Sequence, residues 1–245
     1  MLIDTHCHIF DEYYNDKENV INSFDGIMIV SGVDDKTNKE ILNLNKKQVF
    51  VTLGIHPESV DSYKLSDLEF IENNINEKEV VGIGEIGLDY HYTKENKEKQ
   101  IELFKIQLDL ARKYTKCVVI HVRDAINDVI NILKDYKDLT KIIHCYSGSY
   151  ESALELEKLN CYFGIGGVVT FKNSKTLQNV VKLLPLEKMV LETDSPYLSP
   201  FRGEKNIPNN TFEVAKKIAE VKGISVDEVV NITTMNAKAV FDLDI

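Results

Sequence analysis

The sequence of 245 residues has no apolar run near the ~20 residues that a membrane-spanning helix needs, so we expect no membrane segment. Its N-terminus, MLIDTHCHIFDEYY, has neither the basic region nor the apolar stretch of a secretory signal. The four cysteines, Cys7, Cys117, Cys145 and Cys161, form no Cys-x-x-Cys pair. Together these absences predict a cytoplasmic protein whose cysteines are reduced residues of the core.

The chain also lacks Pro/Ser-rich linkers, low-complexity tracts and short internal repeats, so nothing in it marks a domain boundary. Hydrophobic residues make up 43% and charged residues 28%, which is typical of a globular protein. A length of 245 residues suits one α/β barrel of about 250 residues. We therefore predict a single domain over residues 1–245.

Positive charge is scarce: 29 Lys and Arg stand against 39 Asp and Glu, for a net charge of −10. Proteins that wrap long nucleic acid do so through clustered Lys and Arg, so this balance argues against a tight grip on long duplexes. It leaves room for a small positive pocket, especially one that holds a metal. No feature of the sequence indicates an obligate protein partner.

Short runs rich in Val and Ile recur, and each is followed by a longer helical or polar stretch. The eight runs are Leu2–Thr5, Gly26–Val30, Val49–Leu53, Val80–Ile83, Cys117–Ile120, Lys141–Ile143, Cys161–Ile165 and Lys188–Leu191. Most are apolar on both faces, as parallel strands covered by helices are. The pattern predicts an α/β protein, a (β/α)₈ barrel. A doubly wound open sheet is the alternative, because strand count alone does not show closure.

Polar residues with metal-binding side chains stand at or just past the ends of these strands: His6, His8, Glu85, His121, His144 and Asp194. In a parallel barrel these ends share one rim, where barrel active sites lie. Strand alternation is expected to turn Asp4, His6 and His8 to one face and Cys7 to the other.

Four imidazoles and two carboxylates are too many for one tetrahedral ion and suit two. This donor set favours Zn, Mn, Fe or Ni, with Mg weaker at histidine. Glu85 is central to the series and is expected to bridge two ions, so that a shared water loses a proton and becomes the nucleophile. Asp194 is the candidate to accept that proton, which makes Glu85 and Asp194 the predicted catalytic residues.

The motifs together resemble the TatD-type metal-dependent deoxyribonucleases of the amidohydrolase superfamily. They are Asp4-Thr5-His6-Cys7-His8, Gly54-Ile55-His56-Pro57, Gly84-Glu85-Ile86-Gly87-Leu88-Asp89-Tyr90, His144-Cys145-Tyr146-Ser147-Gly148 and Glu192-Thr193-Asp194-Ser195-Pro196-Tyr197-Leu198. The resemblance implies a metal-dependent TIM barrel. The ligands that it implies are His6, His8, Glu85, His121, His144 and Asp194. It also implies phosphodiester hydrolysis, as a 3′-to-5′ exonuclease on DNA ends or short single strands.

Three further residues are candidates for substrate binding. Arg123 follows His121 by two residues, and Arg202 lies in the loop beyond Asp194. Because guanidinium groups bind phosphate through two parallel hydrogen bonds, we expect both to hold the substrate phosphate, with a surface ion pair as the alternative. His56 either positions substrate and protonates the leaving oxygen, or braces its own loop.

Two other patterns have a simpler explanation than binding. The segment Gly82-Ile83-Gly84-Glu85-Ile86-Gly87 matches the dinucleotide-binding pattern, but no helix is predicted to open after it. Tyr90, Tyr146 and Phe171 could stack on a nucleobase, although packing is the commoner use of a single aromatic ring.

The predicted function is therefore divalent-metal-dependent hydrolysis of phosphodiesters. A hydrolase of amides or esters, such as an aminoacyl-RNA deacylase, is the alternative, because the same ligands serve attack on carbonyl carbon. The third hypothesis is a noncatalytic metal-binding protein.

Overall fold

The computed structural model describes all 245 residues as strands that alternate with helices. The strands are β1 Leu2–Cys7, β2 Gly26–Ser31, β3 Val49–Leu53, β4 Val80–Asp89, β5 Cys117–Arg123, β6 Lys141–Ile143, β7 Cys161–Ile165 and β8 Met189–Leu191. The helices are α1 Lys17–Ser23, α2 Asp35–Leu42, α3 Leu65–Asn74, α4 Lys97–Tyr114, α5 Ile126–Leu133, α6 Tyr150–Glu157, α7 Lys175–Leu183, α8 Thr211–Lys222 and α9 Val226–Phe241. None of the helices is long and apolar enough to cross a membrane.

All eight strands are parallel and lie in the order of the chain, from β1 to β8. A doubly wound sheet reverses its strand order at a switch point. The unbroken order confirms the (β/α)₈ barrel. The segment Gly82–Gly87 lies inside β4. A dinucleotide site requires a helix that begins at the glycines, and none begins there.

The seam between β8 and β1 is closed by side chains and by backbone groups beyond the end of β8. Thr5 Oγ1 donates to the Leu191 carbonyl at 2.9 Å, and the Asp194 N–H donates to the His6 carbonyl at 3.0 Å. The buried Asp4 carboxylate accepts from the Thr193 N–H at 2.9 Å and from its hydroxyl at 2.6 Å. Residues almost 190 positions apart in the sequence thus complete the barrel.

The barrel interior is apolar below the site. Ile29 of β2 and Val119 of β5 belong to one hydrophobic cluster although their strands are not neighbours, which places both side chains inside the barrel. Val240 and Phe241 at the end of α9 join the same cluster and close its lower end. A larger cluster of 56 buried residues includes the helices that surround the barrel.

The register between neighbouring strands shifts at three places in the sheet, and two of these bulges bear on the site. Between β1 and β2, Asp4 pairs with Met28 and Cys7 with Val30, so three steps of one strand oppose two of the other. Between β4 and β5, Ile83 pairs with Val118 and Ile86 with Ile120, with the same mismatch. Each bulge shifts the side-chain alternation by one residue, as bulges beside active sites do.

The bulges correct two expectations. Because of the first bulge, Asp4 lies on the face of Cys7 and not on that of His6 and His8, and its carboxylate closes the seam. Glu85 lies in the second bulge, within β4, and does not end that strand. β1 and β5 also run past their predicted ends, to Cys7 and Arg123.

Replacement of Asp4 by alanine is expected to lower the free energy of unfolding by about 2–4 kcal/mol. The substitution leaves the buried hydroxyl and N–H of Thr193 without their acceptor. Urea denaturation followed by circular dichroism measures the change. Asp61, whose side chain is half-exposed and paired with Lys99, is the control, since the loss of an exposed ion pair should change the stability far less. Equal losses in the two variants would contradict the role of Asp4.

Candidate metal centre

A cavity of about 660 Å³ opens at the carboxyl ends of the strands. Five of the six ligands predicted from the sequence line it, namely His8, Glu85, His121, His144 and Asp194. His6 lies beneath them and is fully buried. The closed barrel brings all six predicted side chains together at one place.

The first ligand group consists of His6, His8 and Asp194 with one oxygen of Glu85. His6 Nε2 and His8 Nε2 are 3.2 Å apart, and each lies 3.4 Å from Glu85 Oε2. Asp194 Oδ1 is 3.6 Å from the first nitrogen and 3.5 Å from the second. Donor atoms around a tetrahedral ion with bonds of about 2.0–2.1 Å are about 3.4 Å apart. The spacing therefore fits a divalent ion.

The second ligand group consists of His121 and His144 with the other oxygen of Glu85. Glu85 Oε1 lies 2.9 Å from His121 Nδ1 and 2.8 Å from His144 Nε2, and these two nitrogens are 3.2 Å apart. Glu85 is thus the one side chain whose two oxygens face both groups. Its carboxylate can bridge two sites, and the second site has fewer protein donors than the first.

Opposite charges dominate the electrostatics of this cluster. Burial alone would raise the pKa of Glu85, but the charge of His144 and a hydrogen bond from His121 hold it well below its usual range. Burial would lower the pKa of His8, yet Asp194 and Glu85 raise it to about 10. A divalent ion binds the neutral imidazole. Metal binding would therefore displace the protons that these carboxylates stabilise on the histidine rings.

Most ligand histidines are also held through their second ring nitrogen. His6 Nδ1 and His8 Nδ1 contact the hydroxyl and the carbonyl of Ser31, each at 3.0 Å. His121 Nε2 lies 2.9 Å from Asp89 Oδ2. Such outer contacts fix the ring orientation of metal-binding histidines. Sequence reasoning missed Ser31, because a serine at the end of an apolar strand carries no signal of its own.

The family model described as TatD related DNase matches residues 3–242. The chain belongs to the TatD family. It is 39% identical to the metal-dependent hydrolase YabD of Bacillus subtilis, over the full length of both chains. It is 32% identical to the metal-dependent hydrolase YcfH of Escherichia coli, over 99% of this chain and 96% of the relative.

Solved structures agree with this assignment. YjjV, a TatD homologue from Escherichia coli, superposes with a TM-score of 0.92 at 28% identity, covering 99% of this chain and 98% of that one. A TatD-family hydrolase from Entamoeba histolytica shares the fold, with a TM-score of 0.85 at 24% identity over 98% and 97% of the two chains. Family membership places the chain among the metal-dependent hydrolases of the amidohydrolase superfamily.

In this TatD-family protein His56 lies near the second ligand group, but the ring nitrogen that faces this group carries a hydrogen. In that form it does not bind a metal ion. Its Nδ1 accepts the N–H of Glu58 at 3.2 Å, so the hydrogen of the neutral ring lies on Nε2, 3.5 Å from Glu85 Oε1. Burial lowers the pKa of His56 to about 3 and keeps the ring neutral. The Glu58 contact is the one expected if His56 braces its own loop, and the Nε2 hydrogen faces the cavity, so a role toward substrate stays a prediction.

The two predicted arginines lie in different surroundings. Arg123 ends β5 and lines the cavity, with its guanidinium 5.2 Å from the ring centre of Tyr92. Arg202 is exposed in a turn after Asp194 and lies outside the cavity lining. The structure brings Arg123 to the site and does not bring Arg202 there, so the role of Arg202 stays a prediction.

The aromatic rings at the cavity are not those named from the sequence. Tyr90 and Tyr146 are buried and donate to Asp128 and to the Ser149 carbonyl, so both serve packing. Phe171 does not line the cavity. Tyr92 and Tyr197 do; Tyr92 is largely exposed and Tyr197 is about half exposed.

Proposed function

We propose that this protein hydrolyses phosphodiester bonds, as a deoxyribonuclease that removes nucleotides from the 3′ ends of DNA or of short single strands. The observation that carries the proposal is the position of Glu85, whose two oxygens face two groups of imidazoles on the floor of an open cavity. All four cysteines of the protein are free, which favours the reducing cytoplasm as the compartment in which it acts.

Two divalent ions, of Zn, Mn, Fe, Ni or Mg, would supply Lewis-acid charge at a phosphoryl oxygen and make a water more acidic. The first and second ligand groups would hold one ion each, with Glu85 shared between them. The surrounding imidazoles keep the Glu85 carboxylate ionised near neutral pH, so that it is able to bind metal ions.

Asp194 would take up a proton from the water that attacks the substrate. Burial would raise its pKa, but His8, His144 and His6 lower it below its usual range, so the side chain is a carboxylate at neutral pH. It also lines the cavity, where a substrate would enter. His56, on the other side of Glu85, would donate its Nε2 hydrogen to a substrate oxygen.

Arg123 would bind the substrate phosphate. The guanidinium is the one arginine side chain in the cavity lining, where the other charged groups are the carboxylates and histidines described above and Glu58. Its guanidinium makes a cation–π contact with Tyr92, and its planar fork suits bidentate binding of a phosphate.

The Arg123→Ala variant is expected to lower kcat/KM on single-stranded DNA by about 10- to 100-fold, mainly through KM. Bound metal should be unchanged, because Arg123 contacts no ligand. Arg112 pairs with Asp138 far from the cavity, so Arg112→Ala is the matched control. Arg202→Ala tests the second prediction from the sequence. An unchanged kcat/KM in Arg123→Ala would contradict the phosphate role.

The rim favours a strand with unpaired bases over a duplex. Tyr92 lies beside Arg123, and Tyr197 lies across the site, 6.3 Å from His8 between ring centres. Exposed aromatic rings stack on bases of any sequence when those bases are free. With a net charge of −10, the protein has little to hold a long duplex beyond the cavity.

A metal-reconstitution assay tests the proposed function. Protein freed of metal is reloaded with each ion and assayed on end-labelled single-stranded DNA, on bis-nitrophenyl phosphate and on aminoacyl esters. We expect metal-dependent release of 3′ nucleotides. Preferential cleavage of aminoacyl esters would instead indicate a deacylase, and metal binding without hydrolysis of any substrate would indicate a noncatalytic protein.

A further inference from the structure

One ligand histidine lacks the outer contact that the other three have. His6, His8 and His121 each place the second ring nitrogen within 3.0 Å of a partner, whereas His144 Nδ1 has none. In the whole chain only two buried side-chain nitrogen or oxygen atoms lack a hydrogen-bond partner. These atoms are His144 Nδ1 and Glu192 Oε2.

The two residues face each other. Glu192 Oε1 lies 3.8 Å from His144 Nδ1, beyond the ordinary range of a hydrogen bond. Glu192 is fully buried, and its Oε1 accepts the N–H of Cys145, the residue that follows His144, at 2.5 Å. A hydrogen bond therefore holds Glu192 to the backbone of the residue that follows His144.

The Glu192 carboxylate is also confined from behind. A Cβ atom at Gly164 of β7 would lie only 1.9 Å from Glu192 Oε2, so the carboxylate occupies the space that any larger residue at position 164 would fill. Glu192 precedes Asp194 by two residues, just past the end of β8. An uncompensated buried carboxylate is costly, and this one is packed against the outer nitrogen of a ligand histidine.

We propose that Glu192 is the positioning residue of His144. A carboxylate only accepts hydrogen bonds, so it favours the ring form with the hydrogen on Nδ1. That form leaves the lone pair on Nε2, the atom that lies 2.8 Å from Glu85 Oε1 in the second ligand group. Glu192 would thus act on the second group as Asp89 acts through His121, by fixing the ring orientation and the nitrogen that binds metal.

The inference rests on the metal site of the proposed function but not on its substrate. The test is Glu192→Gln, which keeps the shape and the acceptor of the Cys145 N–H but removes the negative charge that favours the hydrogen of His144 on Nδ1. We expect the Kd of the more weakly bound metal equivalent to rise about 10- to 100-fold in competition with a chromophoric chelator. The visible spectrum of the Co(II)-loaded protein should change as well.

Lys141→Met is the control, because Lys141 is also a fully buried charged residue but donates to the carbonyls of Tyr136 and Leu139 and contacts no ligand residue. We expect it to lower the melting temperature and leave the Co(II) spectrum unchanged. Asp89→Asn should behave like Glu192→Gln. Equal metal affinity and equal spectra in Glu192→Gln and the wild type would overturn the inference.

A measurement on the wild type guards against a variant that does not fold. In the Zn-loaded protein the His144 Nδ1 hydrogen should give a slowly exchanging, downfield ¹H–¹⁵N signal that is lost in His144→Asn. Absence of this signal in a fully loaded wild type would overturn the inference. A wild type that binds no metal would instead overturn the proposed function.

Discussion

Replacement of Glu85 by alanine should reduce kcat/KM on single-stranded DNA by roughly 10⁴-fold or more. The loss is large because one carboxylate serves both ligand groups: Oε2 lies 3.4 Å from His6 and His8, and Oε1 lies within 3 Å of His121 and His144. Without it, four imidazoles would face each other around a gap, and each group would lose an anionic donor. We therefore expect at least one metal equivalent to be lost as well.

The measurement combines steady-state kinetics with elemental analysis of the protein after removal of free metal. Glu72→Gln is the control, because Glu72 pairs with Lys113 on the helical layer, remote from the cavity. Near-normal hydrolysis by Glu85→Ala at full metal content would refute the bridging role. Loss of hydrolysis at full metal content would limit the role of Glu85 to the reaction itself.

The Gly87→Ala variant should lower the free energy of unfolding by about 3–5 kcal/mol. Gly87 has φ +145°, which L side chains rarely adopt, and a Cβ atom there would lie 2.0 Å from the His121 carbonyl oxygen. The strands β4 and β5 would have to separate where they carry Glu85 and His121. We expect weaker metal binding together with the loss of stability.

Gly203→Ala provides a matched control for strain alone. Gly203 also has a positive φ, +83°, but nothing lies within 4 Å of a Cβ atom at that position. Its substitution should cost only about 1 kcal/mol. Urea denaturation of both variants separates the effect of the clash from that of the backbone, and similar losses would show that the close approach of the two strands is unimportant.

The strands could be predicted because each is a short apolar run between polar segments. The predicted bounds of Val49–Leu53, Lys141–Ile143 and Cys161–Ile165 are those of β3, β6 and β7. The two bulges could not be predicted, because they depend on how a strand pairs with its neighbour and not on its own pattern. Simple alternation therefore placed Asp4 on the wrong face and ended β4 before the residue that matters most.

The cluster of six side chains could be predicted from the sequence because four histidines and two carboxylates at strand ends are costly unless they bind something. The residues that contact the second ring nitrogens of these histidines were harder to predict. Ser31 and Asp89 act through partners that only the closed barrel brings near, although Glu192 had a signal in its spacing of two from Asp194. Arg202 shows the limit of the same reasoning, since closeness in sequence to Asp194 did not bring it to the cavity.

The seam between β8 and β1 has a consequence for synthesis on the ribosome. His6 and His8 emerge first, but Asp194, the remaining residue of the first ligand group, comes 186 residues after His8. A nascent chain lacks this group until nearly four fifths of the protein has been translated, and β1 has no β8 to close against before then. The metal site, and with it any hydrolysis, would thus be completed only after most of the chain has been translated.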